Sequence, residues 1–231
     1  MTNNEQAAYL LHSRPFRDNQ SIVELLTEFD GKVSAVVYLS KSLKSNKKAL
    51  LQPFSPLNVL LKGKSNLKTL SLVESTAKSF QLSGNYLYSG FYINELLVKL
   101  LPELIPCPTL YDDYQSLLLT FNQQKMIERP LRTFETQLLN ELGVAFDFEQ
   151  AMECENDKLH FVPGEGFSPV TGNMHGNQYQ IYAKSDILAI GQGCVSARQE
   201  LLTWKRLMRQ MINHLLGNKP LNSRKLFEKM R

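Results

Sequence analysis

The hydrophobic period of this chain changes once, near residue 80, and that change limits what it can fold into. Before it, short apolar runs alternate with polar residues; after it, apolar residues recur every three or four positions. A period of two suits strands and one of 3.6 suits helices, because side chains alternate across a strand but wind around a helix. The chain is therefore expected to be α+β and multidomain. Residues 1–80 form a β-rich domain. Residues 81–231 form a helical domain that includes an irregular region, 144–195, and a basic C-terminal helix and tail.

Within the first part, Ile22–Phe29 and Val33–Leu39 flank Asp30-Gly31. Two apolar runs joined at Asp-Gly are the strongest short-range hairpin signal. Ala7–Leu11 precedes them. Leu57, Val59 and Leu61 then alternate with their neighbours, "KGKSN" turns the chain, and Leu67–Val73 runs on. About five short strands in about 75 residues fit a small barrel such as an OB-fold, and an SH3-like barrel gives a similar pattern.

Leu87, Asn94, Leu97 and Leu101 set out a first helix, which Pro102, Pro106 and Pro108 end. Leu110 to about Phe121 reads as a second. Pro130 opens a third, lined by Leu131, Phe134, Leu138 and Leu142, with Gly143 placed to cap it. Residues 144–185, rich in Gly and Pro, read as loops with short strands. A final helix begins near a capping box at Ser196 and Gln199 and stops at Gly217. Its polar face carries Arg198, Lys205, Arg206 and Arg209.

Charge is distributed in blocks. Residues 1–80 hold eleven Lys/Arg against six Asp/Glu, 81–197 hold six against fourteen, and 198–231 hold nine against two. Basic ends flanking an acidic middle suggest a polyanion surface built from the ends. No apolar run is long enough for a membrane span, and the first residues lack the pattern of a signal peptide. Three cysteines, Cys107, Cys154 and Cys194, do not make a disulfide framework. The expectation is a reduced cytoplasmic protein.

No phosphate-binding glycine loop, dinucleotide fingerprint, zinc-protease motif or nucleophile elbow occurs, so no catalytic residue is assigned. Cys154, His160, His175 and Cys194 offer metal-binding atoms, but without the close pairs of structural zinc sites. No metal and no cofactor are expected.

The remaining candidates bind rather than react. Arg14, Arg17, Lys41, Lys44, Lys47, Lys48, Lys62, Lys64 and Lys68 come from three connections of the barrel, 12–20, 40–50 and 62–68. Such loops follow a phosphate backbone while aromatic rings stack on bases. Phe16 and Tyr38 are candidate stackers; Phe54, between prolines, fits packing better. Arg224 and Lys225 add charge in the tail, which either contacts phosphates or packs on the body.

Several segments together, "HSRPF" (12–16), "LQPFSPL" (51–57), "LKTLSLVES" (67–75), "LSGNYLYSGFYINELL" (82–97), "LRTFETQLLNELG" (131–143) and "GNKPLNSRKLF" (217–227), resemble the RecO family of bacterial DNA-repair proteins, most closely its gamma-proteobacterial members. The resemblance implies an N-terminal OB-fold, a helical domain and a returning C-terminal part. It implies a non-enzymatic recombination mediator, cytoplasmic and nucleoid-associated, that binds single- and double-stranded DNA and anneals complementary strands. With RecR, such a protein helps load RecA onto strands coated by single-strand-binding protein (SSB). It also implies that the 41–48 lysines lie in a DNA-binding loop, and that Leu131, Arg132, Phe134 and Leu138 meet the acidic, apolar C-terminal tail of SSB. Many relatives carry a four-cysteine zinc module, from which this chain departs. The alternative is a scaffold joining SSB and RecR with secondary DNA contact, suggested by the acidic middle.

Overall fold

A computed structural model describes residues 5–39, 47–171 and 180–228, the side chains of Phe227 and Glu228 excepted. The chain forms two compact units, 1–127 with 221–231, and Glu128–Pro220. Lys41, Lys44 and His175 lie outside the described residues.

The first unit begins with β1 (Glu5–Arg17), β2 (Gln20–Thr27) and β3 (Gly31–Tyr38), then a one-turn helix α1 (Lys47–Leu50), β4 (Leu57–Lys62) and β5 (Lys68–Ser75). The strands close in the order β1-β2-β3-β5-β4, with β4 returning to β1 and only β3–β5 parallel. This is the Greek-key closure of an OB-fold. Ala8, Leu10, Val23, Leu25, Ala35, Val37, Leu57, Val59, Leu70 and Val73 fill the interior.

The Asp30-Gly31 hairpin forms as the sequence predicts, and Gly31 serves two needs. Its φ is +66°, and a Cβ there would lie 1.9 Å from the Ile105 carbonyl oxygen. β1 is longer than its apolar run. After a bulge at Leu11 it continues through exposed His12–Arg17, because β2 supplies backbone partners there.

The helices α2 (Gly84–Leu100) and α3 (Pro108–Asn122) cover the first half of β1. Buried Asn94 on α2 donates to the carbonyls of Leu10 and Leu11 at 3.5 and 3.3 Å, and accepts from Tyr114 Oη at 2.7 Å. It thus supplies hydrogen bonds to backbone carbonyls at the bulge. Tyr9 packs edge-on to Tyr114, ring centroids 5.2 Å apart, and beside Tyr111. Phe54, at φ +62°, is buried against Phe91 and lies over Gly90, where a Cβ would come within 2.8 Å of its ring. That is the packing role expected of it. A short helix α8 (Arg224–Glu228) ends the described chain, within this unit.

The second unit holds α4 (Glu128–Glu141), α5 (Phe148–Glu153), the antiparallel strands β6 (Lys158–Val162), β7 (Gly166–Pro169) and β8 (Ile181–Ala183) in the order β7-β6-β8, then α6 (Lys184–Gly191) and α7 (Arg198–Leu215). Phe146, Phe148, Phe161 and Phe167 pack together beneath the sheet turn. The helices α5 and α6 replace what the sequence presents as loops. At the start of α7 the capping acid is Glu200, not Gln199. Its Oε2 accepts the N–H of Ser196 and Ala197 at 2.6 and 2.8 Å, which a neutral amide one residue earlier does not do. Among the described residues, no helix is long and apolar enough to cross a membrane.

Candidate nucleic-acid interface

The barrel register brings separate cations into line. Arg14 pairs with Ile22, Ile22 with Val36, Val36 with Thr69, and Thr69 with Lys62. Residues opposite one another share a face, so this row crosses all five strands on one side. One step along, Arg17 pairs with Gln20 and Gln20 with Tyr38. The Leu39 N–H donates to the Asn19 carbonyl at 2.8 Å, which joins the β1–β2 tip to the exit of β3.

The β1–β2 tip, the exit of β3 and the β4–β5 turn therefore share one end of the barrel. Arg14, Arg17, Lys62 and Lys64 are exposed there and Lys68 is half-buried, its Nζ 3.3 Å from the Gly63 carbonyl. None of these five forms an ion pair with a described residue. Phe16, Tyr38 and Leu67 are 44, 58 and 39% exposed at the same end, and the Arg17 guanidinium lies 5.1 Å from the Phe16 ring centroid. Exposed rings between unpaired cations can stack bases while phosphates are neutralised. Asp18 is the acid at the β1–β2 tip itself.

The lysine loop divides. Lys47 is half-buried in α1 and donates Nζ to the Ser71 carbonyl at 3.1 Å, whereas Lys48 is exposed. Just beyond, Leu51 enters the barrel core. Lys47 is thus tied to β5, an arrangement a lysine-rich loop does not announce in sequence.

The opposite half of the β2–β3 face is covered. Lys32, on the same outward register as Val36 and Tyr38, is 7% exposed and donates Nζ to the Val98 carbonyl at 2.8 Å. Burial holds its pKa below the ordinary lysine value, against the pull of Glu24 and Glu103. Ser34 donates to Glu103 at 2.6 Å, closing this side further.

Arg224 and Lys225 are not brought to the loop end by any described contact. They follow Asn222 and Ser223, whose groups bond Glu95 on α2, so this part of the tail packs on the body. Glu95 was not among the candidates read from sequence; only a structure pairs residues this far apart in the chain.

In the second unit, Leu131, Phe134 and Leu138 are buried. Arg132, on the same helix, is 7% exposed and pairs with Glu135 at 2.7 Å. Its Nε is buried without an acceptor among the described residues. The i, i+3 spacing of Arg132 and Glu135 is a signal the sequence does carry. Among the described residues no three His, Cys, Asp or Glu side chains gather as metal ligands, and Cys107, Cys154 and Cys194 are free.

Comparison with known proteins agrees with this architecture. Residues 1–78 match the family model "Recombination protein O N terminal", and residues 81–225 match "Recombination protein O C terminal". Similar curated proteins, each named "DNA repair protein RecO", include one from Alteromonas mediterranea, 36% identical with 98% of both chains covered. Others come from Idiomarina loihiensis, 38% identical over 96% of this chain and 97% of the relative, and Cellvibrio japonicus, 38% identical over 96 and 95%.

Proposed function

The chain belongs to the RecO family of DNA repair proteins, and from that premise we propose that it binds single- and double-stranded DNA and anneals complementary strands. With RecR it helps load RecA onto SSB-coated single strands. The observation that carries the reading is the convergence of Arg14, Arg17, Lys62, Lys64 and Lys68 on one end of the closed barrel, without an ion pair among the described residues and beside exposed rings. Cations there release counterions from each strand and screen the repulsion between two. No bond to the nucleic acid need be made or broken. A protein acting this way works with DNA in the cytoplasm, at the nucleoid.

We keep Leu131, Arg132, Phe134 and Leu138 as the site for the SSB tail. Among the described residues the Arg132 Nε has no acceptor, and a carboxylate-ended apolar tail would supply one. Because Arg132 is buried and already paired, the tail must compete with Glu135 for it.

Annealing of complementary oligonucleotides, bare and SSB-coated, tests the mediator reading at low salt. The native chain is expected to accelerate both reactions. Failure on both, with the protein folded, would reject it.

A further inference from the structure

The chain leaves the second unit at Pro220, and Leu221 onward belongs again to the first. One carboxylate holds the returning segment. Glu95 Oε1 accepts from the Asn222 N–H at 2.9 Å, and Oε2 accepts from the Ser223 N–H at 2.8 Å and the Ser223 hydroxyl at 2.7 Å. Leu221, just before the clasp, is 1% exposed. Glu95 is the only acidic residue in α2. Its other partner is Lys99, at 3.2 Å. Arg224 and Lys225 follow the clasp immediately, in α8, which packs on α2.

A basic tail that is free must lose conformational freedom each time it meets a phosphate. A tail fixed on a helix does not. The clasp therefore holds Arg224 and Lys225 beside α2, on the side that carries Lys99, through an acid whose oxygens are already engaged.

We propose that Glu95 is a positioning residue for DNA binding: it clasps Asn222 and Ser223 so that Arg224, Lys225 and Lys99 stand as a second, preformed phosphate-binding patch on the first unit. The proposal rests on the DNA-binding reading above, but it predicts a sign that plain electrostatics does not. Removing a carboxylate near a polyanion site strengthens binding where only charge counts. Removing Glu95 is expected to weaken it.

The test is a double-mutant cycle read by anisotropy of a labelled single-stranded oligonucleotide over a range of salt. At roughly fivefold per phosphate contact near 0.1 M salt, replacing Arg224 and Lys225 by Ala should weaken binding by about tenfold or more. It should also flatten the log–log salt slope by about 1.4. Glu95→Ala should weaken binding severalfold by itself. In that background, the Arg224/Lys225 replacement should change affinity by less than about twofold. Ser223→Ala, which removes one of the three bonds and leaves α2 untouched, should shift affinity in the same direction by less. It also substitutes for Glu95→Ala in the cycle if that variant fails to fold.

If replacing Arg224 and Lys225 does nothing in the native chain, the DNA reading of the tail fails and the proposal with it. If that pair matters but its effect persists in the Glu95→Ala chain, or if Glu95→Ala binds as well as or better than the native chain, the clasp is a fold contact only. The proposal is then overturned while the DNA reading stands.

Discussion

Two halves of one barrel carry the same residue types and use them in opposite ways. In the covered half, Lys32 lies under α2 with its ammonium on a backbone carbonyl, and Tyr9 is sunk among Tyr111 and Tyr114. In the open half, Lys62 and Lys64 stand in solvent and Tyr38 is 58% exposed. Lys32 and Tyr38 lie on the same outward register of the same strand. A lysine or tyrosine on a strand therefore says little about function until its cover is known. Here the cover ends at the Leu11 bulge, and the open surface begins beyond it.

The largest expected effect breaks the covered half. Gly31→Ala places a Cβ against the Ile105 carbonyl at a positive φ, so it should cost at least about 3 kcal/mol in denaturant unfolding. Asn94→Ala should cost about as much, because it strands the Leu10 and Leu11 carbonyls and the Tyr114 hydroxyl. Neither should change the salt slope of DNA binding while the chain remains folded.

Next in size is the open half. Replacing Lys62, Lys64 and Lys68 by Ala should weaken single-stranded DNA binding about a hundredfold near 0.1 M salt and flatten the slope by about 2. Stability should stay within about 0.5 kcal/mol, as for ordinary surface changes. Lys32→Met is the matched control: its slope should equal that of the native chain.

A pH titration sharpens the same contrast. Burial pushes Tyr9 up to about 12 from 10.0 and raises Tyr111 and Tyr114 as well. Above pH 10 the unfolded chain gives up these protons first, so the folded chain binds more of them and stability falls as pH rises. Below that value their contribution is complete. Lys32, lowered by burial, acts with the opposite sign below its ordinary 10.5, one group against these three and Tyr182, which burial also raises. The urea midpoint should therefore drop between about pH 10 and 12. A flat midpoint across that range would contradict the burial argument.

Smallest is Lys47→Ala. Losing one half-buried bond to the Ser71 carbonyl should cost less than about 1 kcal/mol in thermal unfolding. It should weaken DNA binding less than Lys48→Ala does, since Lys48 is the exposed member of the pair.

Much of the barrel was legible because alternation and the Asp30-Gly31 turn are local signals. The strand count fits an OB-fold and an SH3-like barrel alike; the family resemblance implies the OB-fold, and the closed strand order agrees with it. The second half of β1 was not legible: His12–Arg17 is polar and contains Pro15, and it is a strand only because β2 lies beside it. The helix α5 is six residues long, and α6 ends among glycines, so neither offers enough periodicity to stand out. For the site, the cations and rings of the open end were visible as residue types. Their alignment depends on cross-strand register, which sequence does not state. Lys47 shows the limit most clearly, since its tie to Ser71 depends on one turn of helix within a lysine-rich run. Glu95 and Ser223 show the same limit over a distance of 128 residues.

The most direct test of DNA binding at the open end is photochemical cross-linking of the full chain to a single-stranded oligonucleotide, with the modified residues read by mass spectrometry. The open end should carry the principal cross-links, at Phe16 and Tyr38 and within peptides spanning 12–20 and 62–68, and they should fade as salt rises. Cross-links confined to 128–220, with none on the barrel, would contradict it.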